Sequence, residues 1–243
     1  TDTPSGGGTV SGDSFAAAGD WGSGRNNLWQ SVVSAMEKLK PSVVLVPGDM
    51  SYTNVAGFKK VTDAIKKFGA KIYGANGNHD GGGYATLFDG YSNSVVNVGE
   101  MSIMLLDTEK GSASVTFANA NLSKMTGKKI VVFHKPVFTS PSDHGQDEGK
   151  IGALIPEFEK AGVKLVIQAH NHNMQLLDFG PTKPKYVVAG SGGEGLYKLK
   201  GKHAQSVFQN DKDFGFLYGK VVNSVIQCKF ISNTGATLHS FNA

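Results

Sequence analysis

Three potential metal ligands recur at a constant interval in the first third of the chain. Asp20 and Asp49 are 29 residues apart, and Asn78 follows Asp49 after another 29. A strand, a helix and the return to the next parallel strand take about 30 residues. The interval therefore predicts that the three residues follow the carboxyl ends of three successive parallel strands. Ligands gather at this edge of open α/β sheets, so topology alone would bring the three side chains together.

Short apolar runs support a sheet of this kind. Most show no alternation with polar residues, as is typical of strands covered on both faces. The predicted strands of this type are Ser14–Ala18, Val43–Val46, Lys71–Tyr73, Ile103–Leu106, Ile130–Phe133, Val163–Ile167 and Tyr186–Ala189. After Gly215 the runs are joined by Asn-Ser and Asn-Thr-Gly turns, which predict antiparallel strands. These later strands are Phe216–Val222, Val225–Ser232 and Thr237–Phe241.

Helical patterns separate the predicted strands. Apolar residues at spacings of four, four and three predict a helix over Leu28–Leu39, and a similar pattern predicts one over Phe58–Phe68. A third helix is expected over Ile151–Ala161. Pro156 either begins this helix or kinks it.

The composition is that of an ordinary globular protein, with 40% hydrophobic and 18% charged residues. We expect one α/β domain with mixed sheets over residues 11–243, preceded by a flexible leader at residues 1–10. The net charge of +4 would help to attract an anionic substrate. The lysines are scattered and form no arginine-rich stripe, so we expect no nucleic-acid binding. No apolar run approaches ~20 residues, so we expect no membrane span.

Seven side chains that can bind metal lie in five short motifs at the ends of predicted strands. The motifs are Gly-Asp-Trp-Gly (19–22), Gly-Asp-Met-Ser-Tyr (48–52), Gly-Asn-His-Asp (77–80), Val-Val-Phe-His (131–134) and Ala-His-Asn-His (169–172). The candidate ligands in them are Asp20, Asp49, Tyr52, Asn78, His134, His170 and His172. Taken singly, each has a commoner structural explanation, such as a turn aspartate or a buried core histidine. Together, and in this order, they predict a site for two metal ions.

The first two motifs supply a bridge and the ligands of one ion. Asp20 offers a hard carboxylate oxygen directly after a strand. Asp49 is the predicted bridge, with one oxygen to each ion, because two cations about 3.5–4 Å apart need an anionic ligand between them. Tyr52 can reach the same ion as a phenolate. A tyrosine ligand indicates a strongly Lewis-acidic ion such as Fe(III).

The other motifs supply an amide and three imidazoles. Asn78 offers an amide oxygen to the second ion, and His134 offers an imidazole to the same ion. His170 and His172 are two residues apart, and an extended backbone would point both rings to one side. This pair at a strand end is the most ligand-like pair in the chain.

The five motifs resemble those of the calcineurin-like metallophosphoesterases. The Gly-Asp-Trp-Gly start and the spacing to Tyr52 resemble the small, single-domain purple acid phosphatases, over roughly residues 13–232. The resemblance implies a four-layer sandwich of two mixed β-sheets flanked by helices. It also implies Fe(III) on Asp20, Asp49, Tyr52 and His172, and a divalent ion (Fe, Zn or Mn) on Asp49, Asn78, His134 and His170. One departure is Ala169, where the family usually has glycine, and it should cost little unless that backbone needs a positive φ.

Two further histidines suit catalysis better than metal binding. His79 follows Asn78, where it could contact phosphate oxygens or protonate the leaving alkoxide, and Asp80 is placed to orient or charge it. His144 lies in Ser-Asp-His-Gly, which resembles the substrate-loop segment of the small purple acid phosphatases. It is a second candidate acid, and the alternative is an exposed loop histidine. Glu194 is expected near the site from its loop position alone.

These residues predict hydrolysis of phosphate monoesters, on small molecules or phosphoproteins, by a hydroxide bound to two metal ions. A phosphodiesterase or nuclease on the same site is the main alternative. Tyr52 weighs against it, because related diesterases commonly carry a histidine near the first aspartate. A non-catalytic scaffold is the third interpretation, and it normally involves lost ligands, whereas none is lost here. We expect no nucleic-acid or membrane partner, and a secreted, periplasmic or lysosomal-type compartment.

Overall fold

The computed structural model describes residues 14–243 of the chain. The predicted leader, residues 1–10, lies outside the described residues. Two seven-stranded β-sheets pack face to face, and α-helices cover their outer faces. The predicted fold class, a sandwich of two mixed sheets flanked by helices, is confirmed. In residues 14–243, no helix is long and apolar enough to span a membrane.

The described residues form fourteen β-strands. In chain order they are β1 (Ser14–Ala17), β2 (Val43–Pro47), β3 (Lys71–Ala75), β4 (Gly90–Tyr91), β5 (Ser94–Val98), β6 (Met101–Leu105), β7 (Lys128–Val132), β8 (Leu165–Gln168), β9 (Met174–Asp178), β10 (Lys185–Ala189), β11 (Ser206–Asn210), β12 (Gly215–Val222), β13 (Val225–Ser232) and β14 (Thr237–Asn242). The first sheet has the order β14-β13-β12-β1-β2-β3-β4, and the second has the order β11-β9-β10-β8-β7-β6-β5.

Both sheets have a parallel centre, and antiparallel strands flank it on one side of the first sheet and on both sides of the second. In the first sheet β1 to β4 run parallel, and β12 joins β1 in the antiparallel direction. In the second sheet β6, β7, β8 and β10 are parallel, whereas β5 and β9 pair antiparallel to their neighbours. The predicted antiparallel strands after Gly215 are therefore confirmed as the edge of the first sheet.

Within residues 14–243, four α-helices and four short 3₁₀ segments connect these strands. The α-helices are α1 (Trp29–Leu39), α2 (Val55–Lys67), α3 (Gly111–Asn121) and α4 (Ile155–Lys160). The 3₁₀ segments are Tyr84–Leu87, Thr108–Lys110, Leu122–Lys124 and Ile151–Leu154. Helices α1 and α2 cross over between parallel strands of the first sheet, and α3 and α4 do so in the second.

The central strands are apolar throughout because both of their faces are buried. In β2, Val43 and Leu45 pack between the two sheets, whereas Val44 and Val46 pack against α1 and α2. Strands β6, β7 and β8 divide their side chains in the same way between the inter-sheet core and the layer of α3 and α4. Successive side chains of a strand point to opposite faces, so a strand between two layers needs apolar residues at every position.

The helix boundaries have local causes. The side chain of Asn54 accepts a hydrogen bond of 3.0 Å from the Gly57 amide, so α2 begins three residues before the predicted Phe58. Pro156 lies in the first turn of α4, where its missing N–H costs nothing. It therefore begins this helix rather than kinking it.

Several elements have no clear signal in the sequence. Helix α3 buries only Ser114 and Ala118, so it lacks the apolar stripe by which helices are recognised. Strands β4, β5 and β11 are only partly buried, and β9 begins two residues after the His-x-His pair. Strands β4, β5 and β11 lie at sheet edges and are held by pairing with a neighbour, which a local pattern cannot show.

Two leucines provide a matched test of the inter-sheet core. Leu45 is fully buried between the sheets, whereas Leu39 is 40% exposed at the end of α1. Leu45→Ala should lower the free energy of unfolding by about 2–5 kcal/mol, because it removes buried apolar area and leaves a cavity. Leu39→Ala should change it by about 0.5 kcal/mol or less. Urea denaturation measures both, and equal effects would contradict the placement of Leu45.

Candidate metal centre

The seven predicted ligands lie together at one edge of the sandwich, beyond the carboxyl ends of parallel strands. Asp20 follows β1, Asp49 follows β2 and Asn78 follows β3 in the first sheet. His134 follows β7 in the second sheet, and the His-x-His pair follows β8. The interval of 29 residues corresponds to the two β-α-β units of the first sheet.

Four side chains converge around one point, which we call the first donor set: Asp20, Asp49, Tyr52 and His172. The Tyr52 hydroxyl lies 3.2 Å from Asp20 Oδ1, 3.2 Å from Asp49 Oδ2 and 2.9 Å from His172 Nε2. His172 Nε2 is 3.4 Å from Asp20 Oδ1. The two carboxylates and His172 are buried. Three oxygens and one nitrogen therefore face one another, and of the four side chains only Tyr52 is partly exposed.

The second donor set comprises Asp49, Asn78, His134 and His170. His134 Nε2 lies 3.0 Å from Asn78 Oδ1, 3.3 Å from Asp49 Oδ2 and 3.2 Å from His170 Nδ1. Donor atoms of Asp49, His134 and His170 all lie within 4.8 Å of one another. His134 is fully buried, so its ring faces only this cluster and the protein interior.

One atom, Asp49 Oδ2, belongs to both donor sets. It contacts the Tyr52 hydroxyl on one side and His134 Nε2 on the other. The other oxygen, Oδ1, accepts a hydrogen bond of 2.9 Å from the His79 amide. In the metal-free protein the amide thus binds Oδ1, and Oδ2 alone faces both sets, whereas the prediction assigned one carboxylate oxygen to each ion.

The spacing and chemistry of the donors fit metal ions. Ligands about 2.0–2.1 Å from one ion and at right angles to each other lie about 3 Å apart. The contacts in both sets are between 2.9 and 3.4 Å long. Carboxylate, phenol, amide and imidazole groups suit iron, zinc and manganese. The residues therefore fit two ions on either side of Asp49 Oδ2.

Backbone carbonyls orient two of the imidazoles. His134 Nδ1 lies 2.8 Å from the Pro47 carbonyl oxygen, and His172 Nδ1 lies 2.7 Å from that of Gly195. A carbonyl oxygen only accepts, so each Nδ1 carries the proton and donates it. In the neutral form of each ring, this assignment leaves the Nε2 lone pair directed into the donor sets, as metal binding requires.

The first donor set concentrates negative charge around a phenol. Burial raises the pKa of Tyr52 far above its usual value, and the charges of Asp20 and Asp49 raise it further. The metal-free protein therefore holds the neutral phenol. A multivalent cation at this point would reverse the effect, because it stabilises the phenolate more than the carboxylates destabilise it.

The second donor set contains a buried ion pair in the metal-free protein. Burial lowers the pKa of His134, but the charge of Asp49 outweighs burial and raises it to about 9. Burial raises the pKa of Asp49, and His134 brings it below its usual range. Burial and the charge of His134 lower the pKa of His170 to about 3, so its ring is neutral and able to bind a metal.

Three of the ligands have a left-handed backbone. Asp20 has φ 55°, Asp49 has φ 50° and His170 has φ 69°. Such conformations cost of order 1–3 kcal/mol each for residues other than glycine, and they concentrate at functional sites. Ala169 has no positive φ. Its replacement of the expected glycine is therefore free of strain, as the sequence led us to expect.

Glycine permits the close approach of the β3 loop to the bridging carboxylate. A Cβ at Gly77 would lie 2.2 Å from Asp49 Oδ1 and 2.3 Å from the Asp49 amide nitrogen. The backbone between β3 and Asn78 can therefore pass the bridge only without a side chain at this position.

Asp80 differs from its predicted role. Its carboxylate accepts hydrogen bonds from the backbone amides of Asp49, Met50 and Gly77, at 2.9, 2.8 and 2.7 Å. Burial and the nearby Asp49 raise the pKa of Asp80 to about 6. The side chain thus holds the backbone that carries the bridge. Its contacts are with these amides, so we no longer expect it to orient the His79 ring.

The two candidate acids lie next to different donor sets. The exposed His79 ring packs on the ring of Tyr52, with centroids 4.4 Å apart. The His144 ring stacks on that of His170, with centroids 4.1 Å apart. Burial and the neighbouring His172 lower the pKa of His144. Both histidines therefore lie beside the donor sets, and their role as candidate acids stays a prediction.

A cavity of about 370 Å³ opens over the first donor set. Glu194 lines it, as expected from its loop, and lies 3.6 Å from Arg25. The Arg25 guanidinium covers the Tyr52 ring at 4.7 Å, and Tyr197 stacks on His172 at 3.9 Å. Arg25 and Tyr197 were missed from the sequence because neither follows a predicted strand. Among the described residues, two larger clefts of about 640 and 520 Å³ are lined by none of the seven ligands.

The chain resembles known phosphoesterases in sequence. Residues 14–174 match the model of a family described as calcineurin-like phosphoesterase. This segment covers more than half of the chain and contains all the predicted ligands. No curated protein matches the chain significantly.

Solved structures share the fold at low sequence identity. GAP50, described as the anchor in the inner membrane complex of Plasmodium, is 18% identical with a TM-score of 0.75, over 96% of this chain and 88% of that one. The purple acid phosphatase PPD1 from yellow lupin (Lupinus luteus) seeds is 16% identical with a TM-score of 0.73. The alignment covers 96% of this chain and 53% of the lupin enzyme. A dimetal phosphatase from Danio rerio is 9% identical with a TM-score of 0.57, over 95% and 98% of the two chains.

The number of metal ions bound per chain tests whether Asp49 is shared by both donor sets. The wild type should bind two equivalents of metal. Asp49→Asn should bind at most one, because the variant lacks the negative charge that both ions share. Asp178→Asn is the matched control, since Asp178 is a half-buried carboxylate that pairs with Lys185 away from the site. Elemental analysis after dialysis measures all three proteins. Two equivalents on Asp49→Asn would contradict the bridging role.

The Asp49–His134 ion pair gives the metal-free protein a defined pH dependence. Because the pKa of His134 is raised to about 9, the stabilisation is complete below its usual value near 6.5 and is lost as pH rises through about 9. The stability advantage of chelated wild type over chelated Asp49→Asn should therefore shrink between about pH 7 and pH 10. Urea denaturation in the presence of chelator measures it. An advantage that stays constant over this range would exclude the ion pair.

Proposed function

The chain belongs to the calcineurin-like phosphoesterase family, and we propose that it hydrolyses phosphate monoesters in a metal-dependent reaction. Family membership supports phosphoester hydrolysis, and the choice of monoesters is our proposal. The observation that carries it is the position of Asp49 Oδ2 between two complete donor sets, one of which includes Tyr52.

Each donor set would hold one ion. The first set would bind Fe(III) and the second a divalent ion (Fe, Zn or Mn), because only the first offers a phenol oxygen besides two carboxylates. When bound, the ions supply a hydroxide at neutral or acid pH and offset negative charge on the phosphate oxygens.

The chain's own histidines would handle the leaving group and the phosphate oxygens. His79 lies over Tyr52 at the edge of the first set and lines the cavity above it. His144 lies over His170 at the edge of the second set. In our proposal the His144 imidazolium gives its proton to the ester oxygen as the bond from phosphorus to that oxygen breaks. His79 meanwhile donates a hydrogen bond to a non-bridging oxygen.

Charge favours monoesters over diesters at such a site. A phosphate monoester carries up to two negative charges, one more than a diester, so it gains more from two cations and neighbouring imidazoles. Tyr52 is also the ligand that separates this chain from the diesterase alternative at the level of sequence. A phosphodiesterase or nuclease on the same donor sets remains the competing enzymatic function.

A non-catalytic scaffold is the second candidate, because the Plasmodium protein with this fold is described as an anchor. In the present chain all seven ligand side chains are retained and face the two donor sets. A pure scaffold has no need for three strained ligand positions. We therefore prefer the enzymatic function.

A monoester and a diester assayed side by side distinguish the monoesterase, the diesterase and the scaffold. Wild type reconstituted with iron and zinc should hydrolyse p-nitrophenyl phosphate with a kcat/KM about tenfold or more above that for bis(p-nitrophenyl) phosphate. Asp49→Asn should lose about a hundredfold or more, and Asp178→Asn should match the wild type. A preference for the diester that is lost in Asp49→Asn would indicate a nuclease or diesterase. No turnover in spite of bound metal would favour the scaffold.

Visible absorption spectroscopy tests directly whether Tyr52 binds Fe(III). Protein reconstituted with ferric iron should show a visible charge-transfer band, since a phenolate ligand donates electron density to the ion. Tyr52→Phe should lose the band. Tyr218→Phe, a matched change on β12 of the first sheet, should keep it. A band that survives in Tyr52→Phe would contradict the proposed ligand.

A further inference from the structure

Residues 136–147 form the segment that carries His144, and side chains rather than sheet pairing hold it in place. It leaves the second sheet after β7, and the Asp147 amide donates a 2.8 Å hydrogen bond to the Pro136 carbonyl, which closes its neck. Thr139, Ser140 and Ser142 are polar residues of this segment, and all three are buried. Buried hydroxyls need partners, so the contacts of this segment are specific.

Side-chain amides on β8, β9 and the turn between them provide those partners. Gln168 accepts a 2.7 Å hydrogen bond from the Val137 amide, and Gln175 accepts one of 2.7 Å from the Ser140 amide. The Thr139 hydroxyl accepts from Asn171 Nδ2 at 3.0 Å and from Gln175 Nε2 at 2.9 Å. These amides replace the backbone partners that a neighbouring strand would offer.

Among these side chains, Ser142 makes the hydrogen bond that lies nearest to His144. The Ser142 hydroxyl contacts Asn171 Oδ1 in a short hydrogen bond and lies 3.1 Å from the His144 carbonyl oxygen. Asn171 is fully buried between the two ligands His170 and His172. Its amide nitrogen already donates to Thr139, so both ends of its side chain are bound to the His144 segment.

The His144 ring makes two ring contacts beside the donor sets. The ring lies nearly parallel to that of His170, at 18°, and meets Tyr197 edge-on at 5.2 Å. Ring stacking alone would allow the segment to slide, because parallel faces resist lateral displacement weakly. The Ser142 hydroxyl has one proton and donates it in the short hydrogen bond to Asn171 Oδ1, which fixes the chain two residues before the ring.

We infer that Ser142 and Asn171 are positioning residues that hold His144 where it can protonate the leaving oxygen. This inference rests on the proposed hydrolysis of phosphate monoesters. The proton leaves the His144 imidazolium as the ester bond breaks, a water-derived oxygen forms the new bond to phosphorus, and the products are an alcohol and inorganic phosphate. Asn171 lies between the metal ligands His170 and His172, and it thereby connects these ligands to the acid.

The dependence of kcat on the leaving group tests this positioning role. Poor leaving groups need protonation, whereas 2,4-dinitrophenolate leaves without it. Ser142→Ala in the metal-reconstituted protein should lower kcat for phenyl phosphate about tenfold or more and leave kcat for 2,4-dinitrophenyl phosphate within about twofold. A merely structural role would lower kcat for both substrates equally.

Ser140→Ala is the matched control in the same segment. Ser140 is fully buried, and its hydroxyl bonds to Gln209 and to the His203 amide, away from His144. It should show no selectivity between the two phosphates. Ser142→Thr keeps a hydroxyl and should recover most of the phenyl phosphate activity. In a His144→Gln background, Ser142→Ala should have no further effect, because the two residues act as one unit.

The outcomes separate the inference from the function on which it rests. If the reconstituted wild type hydrolyses neither phosphate, the proposed function is wrong and the positioning role falls with it. If the wild type turns over and Ser142→Ala behaves like Ser140→Ala, or loses activity equally on both substrates, only the positioning role is wrong. Metal content and thermal unfolding, measured on every variant, identify a loss caused by a missing ion or by misfolding.

Discussion

The carboxylate of Asp49 is bound by different partners at each of its two oxygens. Its Oδ1 accepts the His79 amide, and its Oδ2 lies between Tyr52 and His134. The carboxylate also joins the two sheets, because Asp49 follows β2 of the first sheet and His134 follows β7 of the second. Neither sheet contains a complete donor set, so the site exists only when the sandwich is assembled.

The surrounding backbone is built to hold that carboxylate. Asp80 binds the amides of Asp49, Met50 and Gly77, and Gly77 has no side chain to displace the bridge. The left-handed φ of Asp49 is thus maintained by neighbours. Carboxylates and a phenol crowded into a buried space are unfavourable without a cation. Metal binding and stability are therefore expected to be coupled.

Much of the fold and most of the ligands could be predicted from the sequence. Crossover units are local, so a spacing of 29 residues was enough to place Asp20, Asp49 and Asn78 at one edge. The apolar runs of the central strands follow from burial on both faces. The ligands from the second sheet were identified by motif, and only the assembled sandwich shows that they meet the first three.

The remaining features depend on contacts between distant residues. Asn, Gln and Ser occur throughout any chain, so nothing in the sequence distinguishes Asn171 or Ser142 from residues on the surface. Asp80 follows His79 in sequence, yet its side chain turns back to the backbone amides. Helix α3 is recognised poorly because it buries small residues only. In each case the partner is fixed by tertiary packing, which local patterns do not encode.

Anomalous diffraction from crystals grown with metal tests the central claim most directly. The account predicts two peaks about 3.5–4 Å apart, with Asp49 Oδ2 bound to both and Tyr52 Oη bound to only one of them. A single peak would contradict it. So would two peaks that are joined by some group other than Asp49.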